Sequence, residues 1–482
     1  MSHRLPVSVV VCATLIPSEV PMSLIPGPDS VSTRDKINGD ANQSLSRTVQ
    51  PHSDPPERAA RPPRQSAVKT ILGTGVGNAL EWYDWNVYAT FAVFFSTQVF
   101  NHGDKTSAFL STMAIFAVGF VARPFGGVVF GWLGDRVGRK HALTMAVVCA
   151  SLGSLLIALC PTYDQVGWFS SALLLVARLI QGLAHGGELP SAQTYLAEHA
   201  PRERRGLWAS SIYVTGTIGL LAGIALGLLL ETSLTTEQMN AWGWRIPFAV
   251  GAVLGLIALW IRSSMDESEV FEQEKAKTGP RENVYISVAR NWRVALQVIG
   301  MTAGLTVAYY VWSVTMPALA QESFGYSARD AFVASFIGNI ALIIALPFWG
   351  ALSDRIGRKP SILIALLGSA VAYVPLVTLL QGGHLWQLIV AICIQLMLLA
   401  GFLSHAPATY AEMFPTGQRA SGFGIPYAIS IALFGGTAGY LLPALGTTAF
   451  VGYSIALLLI SSATVLTLPE TKGKDLGESP EA

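Results

Sequence analysis

The sequence predicts an all-α integral membrane protein with twelve spanning helices in two pseudo-symmetric six-helix halves. Three observations support this. First, 51% of the 482 residues are apolar and only 13% are Asp, Glu, Lys or Arg, against about a quarter charged in a soluble domain. Second, apolar stretches of spanning length recur from Val68 onward with short polar breaks. Twelve helices of about 20 residues need about 240 positions, and 51% of 482 is about 246. Third, two polar loop motifs each occur twice, once per half.

The same figures exclude other classes. So apolar a chain lacks the polar skin of a soluble enzyme. With 31 basic and 30 acidic residues there is no excess charge to attract nucleic acid. Cys12, Cys149, Cys160 and Cys393 form no CxxC pair, so neither a metal site nor a disulfide framework is indicated. No nucleophile with an ordered base and no metal-ligand set appears, so the chain does not read as an enzyme.

Residues 1–66 hold ten of the 26 prolines among Ser, Arg and Asp, with no apolar periodicity. They are expected to be a disordered cytoplasmic tail. The apolar run Leu5 to Ile16 is too short to span and lacks a clean cleavage site. A retained tail, or an over-extended start with Met22 as one alternative, is expected over a signal peptide. Spans are expected near 69–96, 107–133, 142–160, 169–197, 206–230 and 246–262, making a first half over 67–262. After a polar linker at 263–291, with Asp266, Glu267, Glu269, Glu272, Lys275 and Arg281, six more follow near 292–320, 330–352, 360–380, 386–410, 421–443 and 447–467. The second half thus covers 292–468, and 469–482 form a cytoplasmic tail.

Orientation follows from Lys and Arg, which cytoplasmic loops retain. One set of loops holds Arg136, Arg139, Lys140, Arg202, Arg204, Arg205, Arg355, Arg358, Lys359 and Arg419, whereas the alternate set holds Lys105 and Arg329, with Arg245 at a helix edge. Both termini are therefore expected in the cytoplasm, with the chain in the cell (plasma or inner) membrane.

The repeat is specific. Gly131-x-x-x-Asp135-Arg136-x-Gly138-Arg139-Lys140 recurs as Gly350-x-x-x-Asp354-Arg355-x-Gly357-Arg358-Lys359, an offset of 350 − 131 = 219. Glu198-x-x-Pro201 with Arg205 recurs as Glu412-x-x-Pro415 with Arg419, an offset of 412 − 198 = 214. Two motifs at nearly one offset indicate a duplicated unit, and parallel repeats place a binding site between the halves near the midplane.

These paired loops resemble the signature of the major facilitator superfamily. The closing Pro469-Glu470-Thr471-Lys472-Gly473 resembles the tail of its sugar-porter and metabolite-symporter branches. Gly77-Asn78-Ala79-Leu80-Glu81-Trp82-Tyr83-Asp84, Gly119-Phe120-Val121-Ala122-Arg123-Pro124, Gln181-Gly182 to Gly186-Gly187-Glu188 and Trp242-Gly243-Trp244-Arg245-Ile246-Pro247-Phe248 are similar to the metabolite:proton symporter family, whose members include 2-oxoglutarate, shikimate and proline/betaine permeases. The resemblance covers about 68–475. It implies the major facilitator fold, alternating access and protons as the coupling ion, with no other cofactor.

Ionisable groups inside spans are costly and are functional candidates by default. At 100° per residue, Asn78, Glu81, Asp84, Trp85 and Tyr88 of the first span share an arc of about 120°. A carboxylate there either carries a proton, since burial disfavours its charged form, or forms a structural ion pair with a neighbouring arginine. Arg123, mid-span among Gly119, Gly126, Gly127 and Gly131, offers a planar fork of donors to a substrate carboxylate or an ion pair to Glu81 or Asp84. The fourth span carries Arg178, Gln181, His185, Glu188 and Tyr195 within an arc of about 100°. Glu188 and His185 join the proton candidates, histidine being the side chain that changes charge near neutrality, and Arg178 is a proton-transfer group or a network link to the first span. The resemblance associates this arginine region with proton transfer.

In the second half the candidate lining is Tyr309, Tyr310 and Trp312, with Asn339 and Gln395, while His384 and His405 read as structural. The substrate-binding expectation is therefore Arg123, Asn78, Tyr88, Gln181, Tyr309, Tyr310, Trp312 and Asn339. Asp135, Arg136, Arg139, Glu198 and Arg205, with Asp354, Arg355, Arg358, Glu412 and Arg419, are expected to form a cytoplasmic gate of charge-assisted pairs that makes and breaks. The fifth span has Gly219-x-x-x-Gly223-x-x-x-Gly227 and lacks the Gly-Pro element of drug antiporters, which favours symport. The expected function is proton-coupled symport of a small mono- or dicarboxylate or a zwitterionic osmolyte by a monomer in the lipid bilayer. A sugar uniporter or symporter is the alternative, and a non-transporting receptor or sensor the alternative of another class.

Overall fold

A computed structural model describes residues 67–101, 103–137, 139–186, 188–263, 292–414, 419–474 and 476. The expected N-terminal tail, the linker and the last residues lie outside the described residues. The first six long helical segments are α1 (Ala67–Val99), α2 (Lys105–Val137), α3 (Arg139–Ala158), α4 (Trp168–Ala184 and Glu188–His199), α5 (Arg205–Ser233) and α6 (Arg245–Ser263). The next six are α7 (Trp292–Tyr309, continuing through Tyr310–Thr315 to Phe324), α8 (Ala328–Ile356), α9 (Arg358–Leu380), α10 (Leu385–Leu403 and Ala406–Met413), α11 (Arg419–Ser430, continuing through Ile431–Gly435 to Leu445) and α12 (Thr447–Thr467).

Eight of these, α2, α5 and α7 to α12, are long and apolar enough to cross a membrane, and α6 joins them with Thr236–Gly243, from which it is bent by 42°. The others are weaker for visible reasons. Asn78, Glu81, Asp84 and Asn86 dilute α1, α3 opens on Arg139-Lys140-His141, and α4 is interrupted.

The interruption corrects the expectation of a continuous fourth helix over 169–197. Pro190 has no N–H to return to the carbonyl of Gly186, and the adjacent glycines lower helix propensity. In α10, expected unbroken over 386–410, Pro407 deprives Leu403 of the same bond, and the helix restarts after His405. The five- and six-residue π turns in α11 and α7 also fall mid-helix. Such irregular backbone is tolerated at membrane depth where it is buried in protein or lines a cavity.

Across the halves α5 runs along α8, and α2 along α11; the internal twofold exchanges these two contacts. Within the first half, α2 and α4 touch backbone to backbone. A Cβ on Gly182 would strike the carbonyl of Gly119, and one on Gly126 that of Leu183. This approach, available to glycine alone, brings Arg123 and His185 together against α1. The chain reverses after α7 at Gly325, whose φ of 73° suits glycine, and Ser327 then caps α8 by accepting from Asp330 N at 3.1 Å.

Candidate functional site

Among the described residues, two cavities bear on the site. One sits between the halves, lined by Trp82, Tyr213, Thr306, Tyr309, Tyr310 and Tyr427 among others. Its volume is about 10 Å³, room for a single water. On one side Trp82 meets Tyr309 edge-on at 5.7 Å and Phe120 meets Tyr310 at 5.2 Å, while Phe91 and Phe94 pack on Phe332 further out. On the other side the Tyr213 and Tyr427 hydroxyls lie 3.2 Å apart. The interface is thus packed above and below its cavity.

The charged cluster of the first half does not line this cavity but lies behind its wall, Arg123 being within electrostatic reach of the lining residues Tyr310 and Tyr427. Glu81, Asp84, Arg123, Arg178 and His185 are each buried, and the structure brings them together as the sequence predicts. Asp84 accepts from Gln181 Nε2 at 2.9 Å and from the Ser154 hydroxyl, and Gln181 Oε1 accepts from Arg178 Nη1 at 2.8 Å. The Arg123 and Arg178 guanidinium groups each lie 4.0 Å from the Trp85 ring, a stacking that favours a desolvated cation. His185 stands between the carboxylates, Nδ1 3.8 Å from Glu81 Oε1 and Nε2 3.7 Å from Asp84 Oδ2.

Arg123 differs from Arg178. Arg178 is fully buried and directed at Gln181. Among the described residues the carboxylate neighbour of Arg123 is Glu81, at 3.9 Å, too long for a hydrogen bond, and Arg123 Nε has no partner. Arg123 lies 4.8 Å from the Phe120 ring, which Tyr310 also touches, and within electrostatic reach of the Tyr310 and Tyr427 hydroxyls.

Other expected substrate contacts sit elsewhere. Asn78 donates to Ile212 O at 2.6 Å and Thr215 Oγ1 at 2.9 Å, tying α1 to α5. Tyr88 donates to Thr112 O at 3.0 Å. Gln181 belongs to the Asp84 network. Asn339 accepts from Ser313 at 2.6 Å, and Trp312 packs on Tyr373 at 5.8 Å inside the second half. Tyr195, beyond the break in α4, is exposed and stacks on His199 at 4.0 Å, because the interruption shifts the helix phase. The Glu188 side chain lies outside the described residues. Tyr309 and Tyr310 do line the cavity, joined by Trp82, Tyr213 and Tyr427, which the sequence reading missed. The repeat held a signal for two of them, since 427 − 213 = 214, the offset of the Glu198 and Glu412 motif.

A polar network closes the basic face, the end where the Arg-rich loops cluster. Asp354 of α8 accepts from the backbone N–H groups of Gly206 and Leu207 at 2.8 and 2.9 Å, capping the first turn of α5 across the interface. Arg358 pairs with Asp354 at 2.8 Å and Glu412 at 3.4 Å, and Arg205 with Glu412 at 3.0 Å. Thr471 donates to Glu412 at 2.9 Å. Glu470 caps α9, accepting from the N–H groups of Arg358 and Lys359 at 2.9 and 3.0 Å. Arg205 donates to Lys474 O at 3.1 Å, and Arg202 donates to Gly473 O. Glu198 and Arg355 are exposed. The side chains of Asp135, Arg136, Arg139 and Arg419 lie outside the described residues.

The second cavity, about 150 Å³, belongs to the first half alone, between α1, α3, α4 and α6. Glu81, Asp84 and His185 form part of its wall.

A bundle of twelve long helical segments, with an aromatic cavity between two like halves and a buried charged cluster in the first, has the architecture of a membrane transporter. The family described as sugar (and other) transporter matches residues 70–292, and the major facilitator superfamily matches 301–482. The chain belongs to the major facilitator superfamily. It is 36% identical over 415 residues to the alpha-ketoglutarate permease of Escherichia coli (strain K12), covering 84% of this chain and 94% of that protein. It is 30% identical to the glycine betaine/proline/ectoine/pipecolic acid transporter OusA of Dickeya dadantii (strain 3937), covering 86% of each. The fold is also that of a D-xylose-proton symporter, with a TM-score of 0.68 and 19% identity over 85% of this chain and all of that one. The protein is therefore a multi-pass membrane transporter of small molecules and not an enzyme.

Proposed function

We propose that the protein is a proton-coupled symporter importing a small organic acid or zwitterion by alternating access, with its basic face in the cytoplasm. One observation carries this reading: Arg123 stands within electrostatic reach of Tyr310 and Tyr427, which line the interface cavity, and among the described residues it has no hydrogen-bonded carboxylate, so its donors are available to a substrate carboxylate. The Glu81, Asp84 and His185 cluster beside it supplies groups for the coupling proton, and the network of Asp354, Arg358, Arg205 and Glu412 serves as the inner gate. The interface cavity is the substrate position because both halves wall it, so that their relative rocking exposes it alternately.

The alpha-ketoglutarate permease relative makes 2-oxoglutarate the first substrate to test. A second reading, a betaine-like zwitterion, is favoured by the aromatic wall of Trp82, Tyr213, Tyr309, Tyr310 and Tyr427, since aromatic faces attract quaternary ammonium groups. A sugar fits less well. Asn339, Gln181 and Gln395 do not line the cavity, and the likeness to the xylose symporter extends to the fold alone. Uptake into proteoliposomes under an imposed pH gradient, with 2-oxoglutarate, betaines and sugars compared, tests the proposal. Gradient-driven uptake of an acid or betaine is expected. Uptake of a sugar alone, or uptake indifferent to the gradient, rejects it.

A further inference from the structure

The larger cavity stands apart from the substrate position. Its lining comes from Val76 to Asp84 of α1, Ala146 to Ser151 of α3, Ala184 and His185 of α4, and Gly251 to Ala258 of α6. Among the described residues no part of the second half reaches it. Small side chains make the space: Gly77, Ala146, Ala150, Ser151, Gly255 and Ala258. It runs from Asp84 and Gly251, which are in contact, along α1 toward Val76 and along α6 toward Ala258. In both helices that direction leads to the basic face. Val76, at the outer end, is 52% exposed.

The inner end is polar. His185 is 8% exposed and its Nε2 has no hydrogen-bond partner, although Asp84 Oδ2 stands 3.7 Å away. An imidazole nitrogen without a partner among the described residues, beside two carboxylates and on the wall of a space of about 150 Å³, large enough for several waters, is arranged to exchange a proton with water. Among the described residues, the charged and titratable groups facing this cluster are Tyr83 of α1, Arg123 of α2, Arg178 of α4, Tyr310 of α7 and Tyr427 of α11. The lining residues of α3 and α6 add none.

We propose that this crevice is a proton exit separate from the substrate path, through which water from the basic face reaches His185, Asp84 and Glu81 while the interface between the halves stays closed. This rests on the proton-coupled reading above. In the release step an imidazolium N–H bond of His185 breaks, a crevice water gains the proton as hydronium, and neutral imidazole remains. The substrate leaves by the interface and the proton by the side of the first half.

The test uses the full chain in proteoliposomes with two variants. Ala258→Leu fills the outer part of the crevice. It is expected to lose most of the gradient-driven uptake while keeping substrate counterflow, which needs no net proton release. Ala258→Cys, in a background where the native cysteines are replaced, is expected to react with an impermeant cationic thiosulfonate added on the basic face and not on the other. A filled variant with normal gradient-driven uptake overturns the proposal, as does a cysteine unreactive from the basic face. If Ala258→Leu loses counterflow as well, the cysteine labelling decides. Wild-type uptake that ignores the gradient removes the coupling reading itself, a result distinct from failure of the route.

Discussion

The hydroxyls of Tyr213 and Tyr427 meet at 3.2 Å, and each residue is the other's counterpart in the duplicated unit. Equivalent residues touch where the axis relating the halves passes, which for parallel repeats runs along the membrane normal, so this bond ties the halves together on that axis. Tyr427→Phe removes it, at a cost of about 1 kcal/mol, which is about a fivefold shift toward separation on the basic side. Faster labelling of a cysteine placed at Thr302, in a background without native cysteines, checks this. Unchanged labelling would show that the bond does not restrain the halves.

Glu412 is buried with two arginines, Arg205 and Arg358, and also accepts from Thr471. Glu412→Gln leaves both guanidinium groups without their carboxylate, and a broken buried pair typically costs about 3–5 kcal/mol. The variant should lower the melting temperature in detergent and speed exposure of the basic side. A melting temperature equal to wild type would show that water replaces the carboxylate freely.

Arg123→Lys keeps the charge and loses the planar fork. A substrate carboxylate held by two parallel bonds should then bind about tenfold more weakly, a difference of about 1.4 kcal/mol. Uptake KM measures it. An unchanged KM would return Arg123 to a partnership with Glu81 alone.

Glu470 offers a pH test outside the spans. Burial alone would raise its carboxyl pKa, but the N–H groups of Lys472, Arg358, Lys359 and Thr471 outweigh it and hold the value below the ordinary 4.5. A lowered folded value means that its stabilising contribution is fully present above the unfolded pKa and is lost as pH falls through the folded one. Wild type should therefore lose more thermal stability than Glu470→Gln between neutral pH and the acid side of 4.5. Parallel pH profiles would remove the cap from the account.

Much of this was legible in the chain. Apolar periodicity gave all twelve segments, and the cost of burying charge singled out Glu81, Asp84, Arg123, Arg178 and His185, which do converge. Partner choice was not legible. Asn78 shares a helical arc with Glu81, yet its amide binds α5, because an arc of 120° spans both the cavity and a neighbouring helix. The break in α4 depends on one missing N–H at Pro190, which a helical wheel ignores, and it displaced Tyr195. Trp82 sits just beyond the polar arc and reads as core until the second half is placed against it. The crevice arises from small residues on four separate helices, a pattern that no single segment displays.

The last described residues have a mechanical reading. They leave α12, in the second half, and their carbonyls at Gly473 and Lys474 are gripped by Arg202 and Arg205 of the first. The segment is thus a strap fastened on both sides of the joint. Tension applied to it, by a fused domain or an anchored tag, is carried to Arg205, which also holds Glu412, so a pull on this segment also loads the network that joins the halves at the basic face.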